Sequence, residues 1–376
     1  LPAYCQISGS FVTNPETGKT SNFLATLPEN WNGKYLQMGC SGHCGQFYVS
    51  DATVASVTVT NQGRPGDILR SGYASFATDE GHAGLSGGAW AINADGSVNQ
   101  DAIVDFLYRS QQVLSRMGKD FTTAFYRQAT GTPRDISRSY FSGCSGGGRD
   151  ALVAASYFPE QFDGIISGSP YANMVGKAFQ VTGLPLAYIR SPDADVSAAL
   201  MARVGPIVMA QCDAVDGVHD GIIQNPAACN FRPERDLPRC ARGQSSDQCF
   251  TAAQVQTVSA YLTAVTDEHG AVVQPGYSVS NLQGASRVAT PPVSPTALEP
   301  WPHVDNTPGG SGGLWALGDA TLHTFVHQND PNFHTRSIIS LRNGGPGAAV
   351  ARVLPAGVAG GLRGQPGGDS GRHAAG

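Results

Sequence analysis

The pattern Gly-x-Ser-x-Gly occupies residues 143–147, with Ser145 at its centre. Residues 135–142 before it predict a strand, and residues 149–158 after it predict a helix. A strand, a tight glycine turn and a helix form the arrangement that exposes a serine nucleophile at the head of the helix. There the helix dipole and free N–H groups stabilise a developing oxyanion. A chain with 47 glycines can contain this pattern by chance, but the flanking elements favour a nucleophile.

The residues around Ser145 further restrict the class of enzyme that this pattern indicates. Gly146 follows the serine and is predicted to supply one oxyanion N–H. The stretch Gly-Cys-Ser-x-Gly-Gly-Arg, which includes Cys144, resembles the tannase and feruloyl esterase family of serine hydrolases. Further family-like signatures follow in family order at residues 1–5, 27–34, 77–82 and 162–166, so that the resemblance covers about residues 1–335.

The resemblance implies an α/β-hydrolase core interrupted by a large lid. It implies hydrolysis of esters of aromatic, phenolic acids through an acyl-enzyme, of the feruloyl esterase or tannase type. The family also includes mono(2-hydroxyethyl) terephthalate hydrolases. It further implies that Cys144 forms a disulfide with a cysteine after the catalytic histidine, and that a glycine-rich loop supplies a second oxyanion N–H, for which we choose Gly42.

The first part of the chain alternates between strands and helices. Apolar patterning predicts strands over 20–27, 34–39, 71–78 and 162–167, and helices over 99–116 and 121–128. This alternation predicts an α/β core over residues 1–170, with a mostly parallel sheet and helices on both faces. The segment 171–330 is too long for a loop and is predicted to be an inserted lid with helices over 196–211 and 251–265.

Two loops of the core carry polar residues that could do chemistry. The 39–45 loop contains Gly42, Cys40 and Cys44, and it is either an oxyanion loop or an ordinary glycine turn. Its two cysteines suit a local disulfide better than a metal site, which needs two more soft ligands. His82 precedes Ser145, whereas this fold places its base after the serine, so structural hydrogen bonding is the preferred role.

An acidic loop in the lid suits a cation. Three carboxylates lie close together with a glycine after two of them, and hard oxygen ligands at this density suit Ca²⁺, although a solvated acidic turn is the alternative. The resemblance implies a structural calcium site with side-chain ligands Asp213, Asp216 and Asp220 and main-chain ligands Val218 and Ile222. His219 is expected to point outward. Pocket aromatics are expected among Tyr188, Tyr261, Trp301 and Trp315, unless these pack in the lid core.

Eight cysteines indicate an oxidising compartment, and we expect a secreted or periplasmic protein whose export signal lies outside this sequence. The resemblance pairs Cys212 with Cys229 and Cys240 with Cys249. It places the partner of Cys5 upstream, so that Cys5 is unpaired here or bonds to the 39–45 loop. A net charge of −5 without basic runs speaks against nucleic acid, and no apolar stretch reaches the ~20 residues of a membrane span. The expected partner is a small aromatic ester.

The base and acid of a catalytic triad are missing from their family positions. A serine esterase needs a histidine and a carboxylate that orients it, and the family places both after the lid, with the histidine followed by cysteine. No histidine after the predicted lid is directly followed by a cysteine. His323, His327 and His334 follow Ser145, but none of them precedes a cysteine, and we leave them unassigned. Residues 341–376 contain 11 glycines and one acid, Asp369, near His373. This composition predicts a disordered or out-of-frame tail over 331–376, a core incomplete at its C-terminal side, and possible catalytic incompleteness.

Overall fold

The computed structural model describes residues 1–47, 65–84, 88–190, 194, 196–284, 318 and 320–328. The chain divides into two compact units, Leu1–Met174 and Val175–Gly376. Several predictions lie outside the described residues: those for Trp301, Trp315, His334, Asp369, His373, the tail 331–376 and the side chain of Tyr188.

The first unit is built on a six-stranded sheet with the order β1-β2-β4-β3-β5-β6. Its strands are β1 (Tyr4–Asn14), β2 (Lys19–Pro28), β3 (Lys34–Met38), β4 (Ala74–Thr78), β5 (Arg138–Cys144) and β6 (Gly164–Gly168). The pairs β1–β2 and β2–β4 are antiparallel, and the pairs from β4 through β3 and β5 to β6 are parallel. The expected parallel pairing therefore holds from β4 onward, and the sheet as a whole is mixed.

Burial follows the position of each strand in the sheet. All five residues of β4, in the middle of the sheet, are buried, which is typical of a strand covered on both faces. The outer strand β1 has mostly exposed or half-buried residues. The sheet supports an aromatic core that contains Phe23, Tyr35, Phe76, Leu114 and Tyr126. In the described part of the chain β6 ends the sheet order, and its Ile166 is 67% exposed.

One long helical segment packs against this core. It contains α2 (Gln100–Val104), a π-turn (Asp105–Arg109) and α3 (Ser110–Thr130). The Asn99 side chain caps the start, because it accepts a hydrogen bond from the Ala102 N–H. The helices predicted over 99–116 and 121–128 are confirmed as helical, but their separation is wrong, since the residues between them also remain helical. A helix α1 (Pro65–Arg70) precedes β4, and α4 (Gly146–Tyr157) follows β5.

The second unit is mainly helical in its described part. Its helices are α5 (Met174–Arg190, which begins one residue earlier), α6 (Ala198–Cys212), α7 (Pro233–Asp236), α8 (Ala252–Leu262) and α9 (Ser280–Gly284). A short hairpin joins β7 (Val265–Thr266) to β8 (Val272–Gln274). Thr251 and Gln254 form a capping box at the start of α8. A buried cluster that includes Val204, Phe250 and Val258 gives this unit a core of its own.

Among the helices that the structure describes, none has the length and apolar character needed to cross a membrane.

Candidate active site

Ser145 occupies a sharp turn between a strand and a helix. β5 ends at Cys144, and α4 begins at Gly146. The Ser145 backbone has φ 61° and ψ −117°, a positive φ that residues with a Cβ rarely adopt. Such a conformation costs about 1–3 kcal/mol and persists only where the surrounding structure holds it. The structure thus has the strained strand–serine–helix turn that the sequence predicts.

Main-chain hydrogen bonds hold Ser145 from both sides. Its N–H donates to the Gly168 carbonyl at the end of β6, with an N···O distance of 3.0 Å. Its own carbonyl accepts from the N–H of Arg149 at 3.1 Å and from the N–H of Tyr171 at 2.9 Å. The Ser145 backbone cannot relax toward an ordinary φ without breaking bonds to several segments.

The glycines of the motif are required by close backbone packing. A Cβ on Gly143 would lie 2.1 Å from the Gly147 carbonyl oxygen, and a Cβ on Gly148 would lie 2.3 Å from the Gly168 carbonyl oxygen. Contacts this short are impossible between non-bonded atoms, and the main chain on the other side cannot swing away as a side chain does. The glycine run is therefore a packing requirement of the turn.

The two predicted oxyanion donors lie next to each other. A Cβ on Gly146 would lie 2.5 Å from the Gly42 carbonyl oxygen and 3.2 Å from the Gly42 nitrogen. Within the described residues, neither the Gly42 N–H nor the Gly146 N–H donates a hydrogen bond. Gly146 is also the first residue of α4, where the helix leaves its N–H groups without an intrahelical partner. Both groups are available to an oxygen atom of a ligand.

The 39–45 loop is held in place along its length. The Gly39 N–H donates to Ser142 on β5 at 2.9 Å, and the Gly45 N–H donates to the Asp79 carbonyl at 3.1 Å. A disulfide joins Cys40 to Cys44 across the loop. The preference for a local disulfide over a metal site is thus confirmed by the structure.

The two described histidines of the first unit, His43 and His82, are buried. His82 Nε2 lies 2.5 Å from the His43 carbonyl oxygen, Nδ1 lies 3.3 Å from the Glu80 carbonyl oxygen, and the ring stacks on Trp90. Burial lowers the pKa of His82. Burial, together with the Arg149 charge and His82, lowers the pKa of His43 to about 4. Because both His82 nitrogens contact main-chain oxygens, this ring has the structural role that the sequence favours.

The remaining histidine candidates stay unassigned. His323 and His327 are described in the second unit, in and just after a π-turn over Leu322–Val326.

Comparison with known proteins decides the family. The family model described as tannase and feruloyl esterase matches residues 5–306 of this chain. The chain belongs to the tannase and feruloyl esterase family. This family consists of carboxylic ester hydrolases, and the resemblance stated from the Ser145 motif is confirmed.

Two relatives within the tannase and feruloyl esterase family illustrate the extent of the match. An uncharacterized esterase of Xanthomonas campestris pv. campestris is 35% identical over 263 residues, which cover 70% of this chain and 41% of the relative. A probable feruloyl esterase B-1 of Aspergillus oryzae is 29% identical over 275 residues, which cover 73% of this chain and 46% of the relative. The chain spans less than half the length of both relatives.

Solved structures of the same family share the fold. An esterase from Aspergillus oryzae matches with a TM-score of 0.65 at 23% identity, over 93% of this chain and 58% of that chain. A tannin acyl hydrolase from Aspergillus niger matches with a TM-score of 0.61 at 19% identity, over 90% of this chain and 59% of that chain. The fold class is the α/β-hydrolase fold, as predicted.

The acidic loop has its carboxylates turned toward its own main chain. Asp213 accepts from the Gly221 N–H at 2.9 Å, Asp216 accepts from the Val218 N–H at 2.9 Å, and Asp220 accepts from the Ile222 N–H at 3.0 Å. No group of three or more acidic, histidine or cysteine side chains converges as a metal site in the part that the structure describes. His219 is exposed, as expected, and its Nδ1 contacts the Asp213 carboxylate from outside the loop's own hydrogen bonds.

The cysteine pairing in the second unit follows the family. The structure joins Cys212 to Cys229 and Cys240 to Cys249, as the resemblance implies. Cys5 is exposed and free. Because Cys40 and Cys44 pair with each other, the alternative pairing of Cys5 with the 39–45 loop is wrong.

Sequence reasoning missed a buried charged cluster beside the elbow, the sharp turn at residues 143–147 that joins β5 to α4, which we call the elbow helix. Arg149 and Asp150 of α4 form an ion pair at 2.6 Å, and Arg149 also lies 3.4 Å from a Glu80 carboxylate oxygen. Glu80 precedes Arg149 by 69 positions, so no local sequence pattern connects Glu80 to Arg149 and Asp150. The available signal was two adjacent charged residues in the glycine-rich first turns of the elbow helix.

Proposed function

We propose that the chain carries the nucleophile and the oxyanion hole of a serine ester hydrolase that acts on esters of aromatic, phenolic acids. The Ser145 Oγ attacks the ester carbonyl carbon while its proton leaves to a base, and the carbonyl oxygen becomes an oxyanion. Collapse of this intermediate expels the alcohol and leaves an acyl-Ser145 ester. Water then releases the acid and restores the serine.

The observation that carries the proposal is the placement of the Ser145 turn against the 39–45 loop. The N–H groups of Gly146 and Gly42 neighbour each other, and neither donates to another group in the described part of the chain. Preorganised donors of this kind stabilise charge that develops only in the transition state. The Gly146 N–H also stands at the positive end of the α4 dipole.

The substrate class follows from the names of the relatives. One relative is a probable feruloyl esterase, and one structural neighbour is a tannin acyl hydrolase. Both names denote esters of phenolic acids, so we propose a feruloyl- or galloyl-type ester as the substrate. Monoesters of terephthalic acid are the alternative within the same chemistry.

A catalytically incomplete family member is the second candidate. It rests on the sequence, in which no histidine precedes a cysteine after the lid, and on His82, whose ring nitrogens contact main-chain oxygens. Such a chain would bind phenolic esters without rapid turnover.

Acetylation of Ser145 tests the proposed nucleophile. With p-nitrophenyl acetate, we expect a p-nitrophenol burst and one acetyl group on the peptide that contains Ser145, as measured by mass spectrometry. Ser145→Ala should remove both, whereas Ser142→Ala, a matched change on β5, should keep both. Acetylation at other sites only, or an unchanged burst in Ser145→Ala, would refute the assignment.

We also propose that the acidic loop of the second unit binds a structural Ca²⁺. The donor set fits, because Asp213, Asp216 and Asp220 together with the carbonyls of Val218 and Ile222 offer the hard oxygens that Ca²⁺ prefers. Gly217 and Gly221, with φ of 96° and 79°, permit the tight turns that such a loop needs. The Cys212–Cys229 disulfide encloses the same segment. When bound, the ion would neutralise the mutual repulsion of the carboxylates and stabilise the loop.

Removal of calcium should therefore lower stability. We expect EDTA to reduce the melting temperature by roughly 5–10 °C, and added Ca²⁺ to restore it, because a ligand that binds only the folded state stabilises that state. Asp216→Asn should melt at the temperature that the unmodified chain shows in EDTA, and adding EDTA to this variant should not change its melting temperature. The matched control is Asp267→Asn, since Asp267 also caps a turn in this unit but lies outside the acidic loop. A melting temperature that does not change with EDTA would rule out the site.

The disulfides of the described residues support an exported protein. Disulfides form and persist in oxidising compartments, and the described residues contain three of them. We propose secretion or a periplasmic location, and a small aromatic ester as the partner.

A further inference from the structure

A buried charged cluster contacts the 39–45 loop through one carboxylate. The cluster consists of Arg149 and Asp150 on α4 and of Glu80 after β4, with exposed fractions of 6%, 2% and 0%. Asp150 Oδ2 accepts a hydrogen bond from the Cys40 N–H at 3.2 Å, and Oδ1 accepts from Arg149 Nη2 at 2.6 Å. Asp150 therefore links the elbow helix to the loop that carries Gly42.

The Arg149 guanidinium has further partners that fix it in place. It lies over the Phe106 ring at 3.9 Å, and its Nη2 also donates to the Phe106 carbonyl at 2.8 Å. A buried guanidinium is stable only when a carboxylate neutralises it. The ion pair thus holds Arg149, and in return it holds the Asp150 carboxylate beside the Cys40 N–H.

Glu80 is the second carboxyl group at the same guanidinium. One positive charge cannot balance two buried negative charges, so one of the acids keeps its proton. Burial, reinforced by the nearby Asp150 carboxylate, raises the pKa of Glu80 well above its usual value. The neutral Glu80 hydrogen-bonds to Asp150, and it accepts from Gln111 Nε2 at 3.0 Å.

We propose that Asp150 is a positioning residue for the oxyanion hole, because its carboxylate holds the Cys40 N–H and thereby fixes the 39–45 loop against the Ser145 turn. Glu80 supports Asp150 as a hydrogen-bond donor and can replace it as the counter-ion of Arg149. The proposal rests on the function proposed above, and the first measurement below does not depend on that function.

Amide hydrogen exchange of the oxidised full chain tests the link directly. In Asp150→Ala, we expect the Cys40 N–H to exchange at least ~10-fold faster, because it loses a charged acceptor. The matched control is Asp105→Ala, which removes a buried carboxylate that pairs with Arg109 at 2.6 Å and makes no bond to the loop. Equal exchange of the Cys40 peptide in the two variants would overturn the proposal.

The kinetics of Ser145 acetylation give the second measurement. We expect Asp150→Ala to lower the rate constant of acetylation by p-nitrophenyl acetate about 10²-fold, since small displacements of oxyanion donors have effects of this size. The half-saturating ester concentration should change by less than about twofold, because the donors act in the transition state. An unchanged rate constant in Asp150→Ala would overturn the positioning role. If the unmodified chain is not acetylated at Ser145, the function proposed above fails, and the exchange data alone decide whether Asp150 holds the loop.

Thermal melting of Glu80→Gln, of Asp150→Ala and of the double variant that carries both changes tests the role of Glu80. The same measurement shows whether the two single variants fold. Glu80→Gln keeps a neutral donor, so its melting and its Cys40 exchange should match those of the unmodified chain. Asp150→Ala should still melt cooperatively, because Glu80 can ionise and pair with Arg149. The double variant leaves Arg149 buried without a carboxylate and should lose cooperative melting. A double variant that melts like Asp150→Ala would refute the replacement role of Glu80.

Discussion

Gly143→Ala is expected to lower the free energy of unfolding by about 3 kcal/mol or more, because its Cβ would lie 2.1 Å from the Gly147 carbonyl oxygen. The clash is between β5 and the first turn of α4, and both are fixed by main-chain hydrogen bonds. To relieve it, the elbow must open and the Ser145 turn must be lost. Urea unfolding followed by circular dichroism measures the change.

Gly164→Ala is the matched control for this prediction. Gly164 lies on the neighbouring strand β6, and its Cβ would meet only the Tyr140 ring, at 3.0 Å. A ring can shift by a few tenths of an ångström, so the stability should change by less than about 1 kcal/mol. If both variants unfold at the same urea concentration, the close packing of the elbow is not what requires glycine at position 143.

The second large effect concerns turnover. We expect the 376-residue chain alone to hydrolyse methyl ferulate roughly 10⁴–10⁶-fold more slowly, in kcat, than a family member with a complete triad. The physical reason is that a serine hydroxyl stays protonated unless a base accepts its proton, and the sequence has no histidine directly before a cysteine after residue 170, where the family places its base. Without such a base, only the oxyanion hole and substrate binding contribute. Steady-state rates of this chain and of the probable feruloyl esterase B-1 of Aspergillus oryzae provide the comparison.

Ser145→Ala separates the residual rate from background hydrolysis. If the residual rate falls further in this variant, the chain holds a nucleophile that lacks a base. A turnover of methyl ferulate equal to that of the relative from Aspergillus oryzae would contradict the prediction, because it would require a base and an acid beside Ser145 in this chain.

The elbow was predictable from sequence because its determinants are local. Five consecutive positions fix the steric demands of the turn, and the predicted strand and helix flank it within a few residues. The helices α6 and α8 were predictable for the same reason, since their apolar spacing and caps lie within one segment. Predicted ends differ from the observed ends by a few residues.

The features that were missed depend on partners far away in sequence. The strand β1 contains Ser8, Gly9 and Ser10, which have low strand propensity, and its pairing with β2 is what makes it a strand. α5 contains Gly176 and Pro185, two residue types that ordinarily indicate the end of a helix or a break in it. The Glu80–Arg149 contact joins the turn after β4 to helix α4, and no sequence period connects these two segments.

The Cys40–Cys44 disulfide has a consequence for how the protein is produced. The covalent bond that closes the loop carrying Gly42 forms only when two thiols are oxidised. Chain made in a reducing cytosol, or kept in a buffer with a thiol reductant, therefore lacks this covalent closure next to Ser145. A low rate of Ser145 acetylation or ester hydrolysis in such material can result from the missing disulfide and not from the substitution under test. Variants should therefore be compared after expression in an oxidising host.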